Sequence, residues 1–183
     1  MKLMRAVRYN LDISGKLSDL SAALMGAAFF LQALVFFITR DLSTCSTGEI
    51  VLRLILPLVA AGAWMLLLRL TPLTNPTIYG VLAGVLCILL AVQGFYGNVL
   101  LAIVGLIWYI ACGILAIFIC LGYFPYRILL FFMLLVSAVL RILVALGFYI
   151  IPGNVWDGLA AYASIFVNLS LLCLPYMLRP IKR

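Results

Sequence analysis

Six nearly uncharged apolar stretches follow one another along the chain, at about 20–39, 50–70, 77–93, 99–121, 126–150 and 155–178. Each is close to the roughly 20 apolar residues that a helix needs to cross the hydrocarbon of a bilayer. The stretches are continuous rather than alternating, which favours helices over barrel strands. The expected fold is therefore an all-α integral membrane protein, a bundle of six transmembrane helices. Hydrophobic residues make up 68% of the 183 and charged ones 9%. A water-soluble domain averages about 45–50% apolar and about 25% charged residues, and could not hide this much apolar surface.

The breaks between stretches carry turn chemistry. Residues 40–49 hold Asp, Ser, Thr, Cys and Gly; Thr71-Pro72 through Asn75-Pro76, Gly94–Asn98, Gly122–Pro125 and Ile151-Pro152-Gly153-Asn154 separate the rest. Proline removes a backbone donor and glycine admits dihedrals closed to other residues, so helices stop there. The connections are too short for a second domain, and residues 1–183 read as a single transmembrane unit. Residues 1–19 read as a basic cytoplasmic leader. Leu3, Val7 and Leu11 share one helical face, so an interfacial helix is the alternative form of this leader. No signal-type apolar core precedes the first span.

Lys and Arg give the orientation. With the N-terminus cytoplasmic, Lys2, Arg5, Arg8, Lys16, Arg69, Arg127, Arg179, Lys182 and Arg183 all lie inside. Only Arg40 and Arg53 fall near outer ends, and Arg141 lies within a span. Both termini are thus expected in the cytoplasm, in a plasma membrane of bacterial inner-membrane type. Tyr79, Tyr123, Tyr126 and Tyr176 would mark the inner boundary, and Tyr96, Tyr149 and Trp156 the outer one. The net charge of +7 is spread over span ends rather than clustered. That argues for topology and against nucleic acid.

An ionisable residue inside a membrane is costly and points to function. Arg141 stands about 21 Å along the helix from Arg127, in the outer half of the bilayer. Arg53 is a shallower companion. A guanidinium offers a planar fork of donors to carboxylate or phosphate. The expected site is an outward-facing pocket for a small solute, an anion where the arginines bind it, with Arg141 at its base and Tyr149, Asn154 and Asp157 near its mouth. The competing structural reading has Arg141 snorkelling outward or pairing with Asp157, and Arg53 pairing with Glu49. Asn168, deep in the last span, either contacts solute or bonds a neighbouring helix. Pro57 should kink the second span.

Small residues recur four apart at Ala23 and Ala27, at Gly80 and Gly84, and at Cys112, Ala116 and Cys120. Such stripes let helices approach closely in lipid. They serve packing within the bundle, a homo-oligomer or a membrane partner subunit. In span count, length and the run Ala23-Leu24-Met25-Gly26-Ala27, the chain resembles the substrate-binding membrane subunits of energy-coupling-factor vitamin transporters. That resemblance implies a partner-docking face on the first helix and carries over no binding residues.

Histidine is absent, no Asp or Glu falls in the middle of a span, and no CxxC, GxSxG, P-loop or dinucleotide fingerprint occurs. This removes histidine general-base sites, HExxH zinc sites and carboxylate proton relays. The cysteines read as small packing residues. No cofactor and no metal are expected. A transport component is the leading function, a non-catalytic scaffold or assembly subunit the second, and a membrane enzyme the third.

Overall fold

A computed structural model describes residues 10–39, 43–70, 76–93, 99–147 and 155–181. A strand β1 (Asn10–Ile13) leads into helix α1 (Gly15–Thr39). Helix α2 (Thr47–Ile50) runs through a π-helical stretch, Val51–Ile55, into α3 (Leu56–Leu70). Then come α4 (Pro76–Gln93), α5 (Val99–Cys120), α6 (Tyr126–Ala145), α7 (Val155–Leu172), the short α8 (Leu174–Met177) and strand β2 (Leu178–Ile181). The architecture is helical apart from one two-stranded antiparallel ribbon, in which Asn10 pairs with Ile181 and Ile13 with Leu178.

Gly15–Ile38, Ile103–Cys120 and Tyr126–Ala145 are long and apolar enough to cross a membrane by length and composition. Leu56–Arg69, Ile78–Leu90 and Tyr162–Met177 are apolar but shorter. The distribution of side chains is the reverse of a water-soluble core. Large apolar residues face outward, with Leu100 at 70% and Phe30 at 68% exposure. The interior is rich in small ones, among them Ala28, Ala83, Cys87, Cys112, Ala116 and Ala145, with Trp64, Met25 and Leu130 filling larger gaps. Hydrocarbon solvates leucine as well as another leucine does, so helices in lipid meet through small residues instead.

Helix α4 packs chiefly on α5, and α7 lies between α1 and α6. At Gly80 a Cβ would stand 2.8 Å from the Ile117 Cα and 3.0 Å from the Cys120 Cβ. At Gly84 it would meet the Gly113 backbone at 3.6 Å, an ordinary contact. Gly80 and Gly84 thus lie against the α5 stripe that includes Gly113, Ala116 and Cys120. Ala23 and Ala27 do not pack inside; both are exposed on the outer face of α1.

Two helix ends show how local sequence shapes the backbone. After α5, the Gly122 N–H donates to the Ile119 carbonyl and the Tyr123 N–H to the Phe118 carbonyl. Gly122 takes φ 97°. This is a Schellman motif, and the left-handed residue it needs is most easily glycine. Before Pro57, the Leu56 N–H reaches five residues back to the Val51 carbonyl. Pro57 has no N–H for the carbonyl four residues earlier, and its ring crowds that carbonyl. The wider π-turn relieves the crowding.

Three expectations need correction. The leader is not one helix: Leu11 sits in β1, paired opposite Pro180, and α1 begins at Gly15 rather than near Leu20. Residues 1–9 lie outside the described part. The last span does not run unbroken to Leu178, because Pro175 has no N–H to continue it and the chain re-starts as α8 before turning into β2. Tyr79 does not sit at the boundary surface but is 2% exposed, donating from its hydroxyl to the Leu67 carbonyl at 3.1 Å.

Gly80→Ala should destabilise the bundle by about 1–3 kcal/mol, because overpacking here presses on backbone. Gly84→Ala should be nearly neutral, and Gly122→Ala should cost about 1–2 kcal/mol from the left-handed conformation. Thermal unfolding midpoints of the three variants in one detergent check this ranking.

Candidate functional site

Arg141 is the centre of the polar interior. It projects from the last turns of α6 into the bundle. Its Nε donates to the Tyr109 hydroxyl of α5 at 2.9 Å, and its Nη1 to the Ser164 hydroxyl of α7 at 3.0 Å. Its Nη2 donates to the Leu90 carbonyl of α4 at 2.9 Å. The guanidinium carbon lies 5.4 Å from the centroid of the Tyr109 ring. One side chain therefore joins four helices.

The Leu90 carbonyl explains the position. It is one of the last four carbonyls of α4, which have no N–H partner within their own helix. These carbonyls form the negative end of the helix dipole, where a cation is stabilised. Tyr109 and Ser164 are buried, at 2% and 4% exposure. The partners named are all neutral, so each bond is charge-assisted from the arginine alone. Snorkelling does not describe this geometry: the side chain turns inward to three elements instead of running out along its stem.

Asn168 extends the site by one turn of α7. It is 0% exposed, and its Nδ2 donates to the Ser164 carbonyl at 2.9 Å. Among the described residues its Oδ1 has no hydrogen-bond partner, and it has no access to solvent. Leaving a buried acceptor without a donor costs about 1–3 kcal/mol. Asn168 and Arg141 thus share one residue, Ser164, through its carbonyl and its hydroxyl.

The structure brings together Arg141 and Asn168 and leaves other expected members aside. Tyr149 and Asn154 lie outside the described residues. Arg53 falls in the π-helical stretch and Asp157 in the first turn of α7, and their side chains lie outside what is described. The proposed pairs with Glu49 and Asp157 lie outside it as well. Cys112 and Ala116 are buried in α5 at 0% and 1% exposure. A small cleft of about 20 Å³ is lined by Gln32, Pro57, Leu58, Leu86, Leu90 and Val167 among others. It has room for about one water.

A second polar tie sits nearer the ribbon. The Ser21 hydroxyl donates to the Ser170 carbonyl at 3.1 Å, and the Ser170 hydroxyl returns a bond to the Ser21 carbonyl at 2.8 Å. Trp64 Nε1 donates to Ser21 Oγ at 3.0 Å. This joins α1, α3 and α7. A third tie links α5 and α6, where Trp108 Nε1 donates to Ser137 Oγ at 2.8 Å and that hydroxyl donates to the Met133 carbonyl.

Sequence reasoning passed over Tyr109 and the Leu90 carbonyl. Tyr109 left a signal, as a tyrosine in mid-span while most others flank the breaks. The carbonyl left none, being a backbone group chosen by helix packing. The chain matches no family model, no curated protein and no solved structure.

Arg141→Leu should destabilise the bundle by about 2–4 kcal/mol, because it strands three acceptors at once. Arg141→Lys should cost roughly half as much, since an ammonium cannot span all three directions. Ser170→Ala should cost about 1 kcal/mol. Equilibrium unfolding in mixed micelles measures all three.

Proposed function

We propose that this chain is a six-span membrane protein with both ends in the cytoplasm, acting as a transport component for a small anionic solute. The orientation is supported by the ribbon, which brings the segments before α1 and after α8 to one end of the bundle. It is supported further by the basic residues that flank that end. A bacterial plasma membrane is the matching location.

The observation that carries the transport reading is the pairing of Arg141 with Asn168. A cation bonded to Tyr109, Ser164 and the Leu90 carbonyl stands one turn from a buried oxygen to which no described residue donates. An ionisable group is expensive in lipid and is a candidate for function. On that reading the described arrangement, with Arg141 bonded to its neighbours, is the closed one. In the transport reading Arg141 exchanges its bonds to Tyr109, Ser164 and Leu90 for a solute carboxylate or phosphate. Because those bonds join four helices, the exchange loosens the bundle where the solute enters. Ala23 and Ala27, exposed on α1, fit a membrane partner subunit or a second copy.

The second reading is a non-catalytic scaffold or assembly subunit. Its specific support is the small size of the cleft lined by Leu86, Leu90 and Val167, which has room for a water rather than a solute.

Two experiments separate these readings. A membrane-impermeant maleimide should label intact cells at Cys45, in the loop between α1 and α2, while tags on either terminus react only after lysis. Labelled termini on intact cells would refute the orientation. Thermal unfolding with inorganic phosphate and a series of small carboxylates should show a stabilising anion for the wild type. Arg141→Lys should abolish that shift while remaining monodisperse. No shift with any anion, together with stoichiometric recovery of a partner from native membrane, would favour the scaffold.

A further inference from the structure

Arg127 lies half-buried in the first turn of α6, at the ribbon end of the bundle, and aromatic rings fix its side chain. Its guanidinium carbon is 5.9 Å from the Phe124 ring centroid and 5.8 Å from that of Tyr176 in α8. Tyr176 is itself braced edge-on by Phe131, with centroids 5.3 Å apart. Beside this group, Phe118 contacts both Tyr123 and Tyr126. Aromatic faces attract the cation without accepting its N–H groups in conventional hydrogen bonds.

Among the described residues no hydrogen bond or ion pair reaches the Arg127 guanidinium, whereas the backbone N–H of Arg127 donates to the Phe124 carbonyl at 3.0 Å, and no acidic residue stands in the first turn of α6. Arg69, at the same end, differs: it pairs with Asp19 at 3.3 Å. A planar guanidinium with five donors, already immobilised, has much of its ordering entropy removed before any ligand arrives. The ligand it fits is an oxyanion that accepts two parallel bonds. Tyr126 and Tyr176, at 43% and 40% exposure, place the guanidinium where apolar surface gives way to polar. Tyrosines concentrate at the headgroup level of a bilayer.

We propose that Arg127, set against the rings of Phe124 and Tyr176, binds the phosphate of an anionic phospholipid in the cytoplasmic leaflet. The inference rests on the membrane orientation given above, and concerns a site separate from Arg141. Phosphatidylglycerol, with one phosphodiester and a net negative charge, is the appropriate probe. Phosphatidylcholine carries the same phosphodiester beside a compensating cation, which guanidinium would have to displace.

Native mass spectrometry of the detergent-solubilised protein, titrated with each lipid, tests the site. The wild type should retain phosphatidylglycerol over phosphatidylcholine, and Arg127→Gln should lower phosphatidylglycerol retention about fivefold. Arg69→Gln should change it little. Inorganic phosphate in large excess should not displace the lipid; displacement would assign the site to soluble phosphate and overturn the proposal. Equal retention in wild type and Arg127→Gln would also overturn it. If Arg127→Gln does not stay monodisperse, Tyr176→Leu removes one wall while keeping the charge. It should lower retention at least about twofold, and unchanged retention refutes the site. A protein monodisperse without detergent would sink the membrane reading itself, whereas a detergent-dependent protein indifferent to lipid charge sinks only this inference.

Discussion

Helices surrounded by hydrocarbon gain little by burying large apolar side chains, because the surroundings are as apolar as the interior. What remains is contact between backbones and bonds between polar groups. Both are visible in this bundle. Gly80 lets α4 lie against the Ile117 backbone of α5, and a Cβ there would have no room. The serine pair of α1 and α7 exchanges bonds in both directions. Arg141 gathers four helices at once. Alanine, cysteine and serine among the buried residues, and large apolar side chains such as Phe30 and Leu100 on the outside, follow from the same constraint.

The three polar ties also divide the labour along the bundle. Ser21, Ser170 and Trp64 fasten the ribbon half, and their groups are mutually satisfied. Trp108 and Ser137 serve the α5–α6 pair. The Arg141 cluster differs in kind, because one charged side chain joins its own helix to three others and adjoins an oxygen to which no described residue donates. This contrast separates Arg141 and Asn168 from the surrounding ties.

Much of the helical outline could be read directly from residue order. The ends of α4, α5 and α6 follow Pro76, Gly122 and Pro125, whose effects are local and act on their own backbone. Arg141 was legible too, as a cation in an apolar stretch. What escaped was non-local. The strand at Asn10–Ile13 exists only because residues 178–181 supply its partner, and nothing in Leu11 announces that. The Leu90 carbonyl became a binding group because the packing of α4 on α5 and α7 brings its end within reach of the Arg141 side chain. Tyr109 could have been found, since a hydroxyl in mid-span requires a partner, and arginine was the available donor. Tyr79 misled for the opposite reason: its place near a break suggested headgroups, but α3 offered a carbonyl first.

The ribbon has a consequence for biogenesis. Its first strand leaves the ribosome before α1, and its second only after α7 and α8. During most of synthesis, therefore, the backbone groups of residues 10–13 lack the neighbour they eventually acquire. The two strands can zip only once α7 and α8 have been made, and their pairing closes the intervening chain into a loop. A nascent polypeptide arrested within α7 would hold nearly every span yet lack this latch, leaving its leading segment available to chaperones or to membrane quality-control proteases.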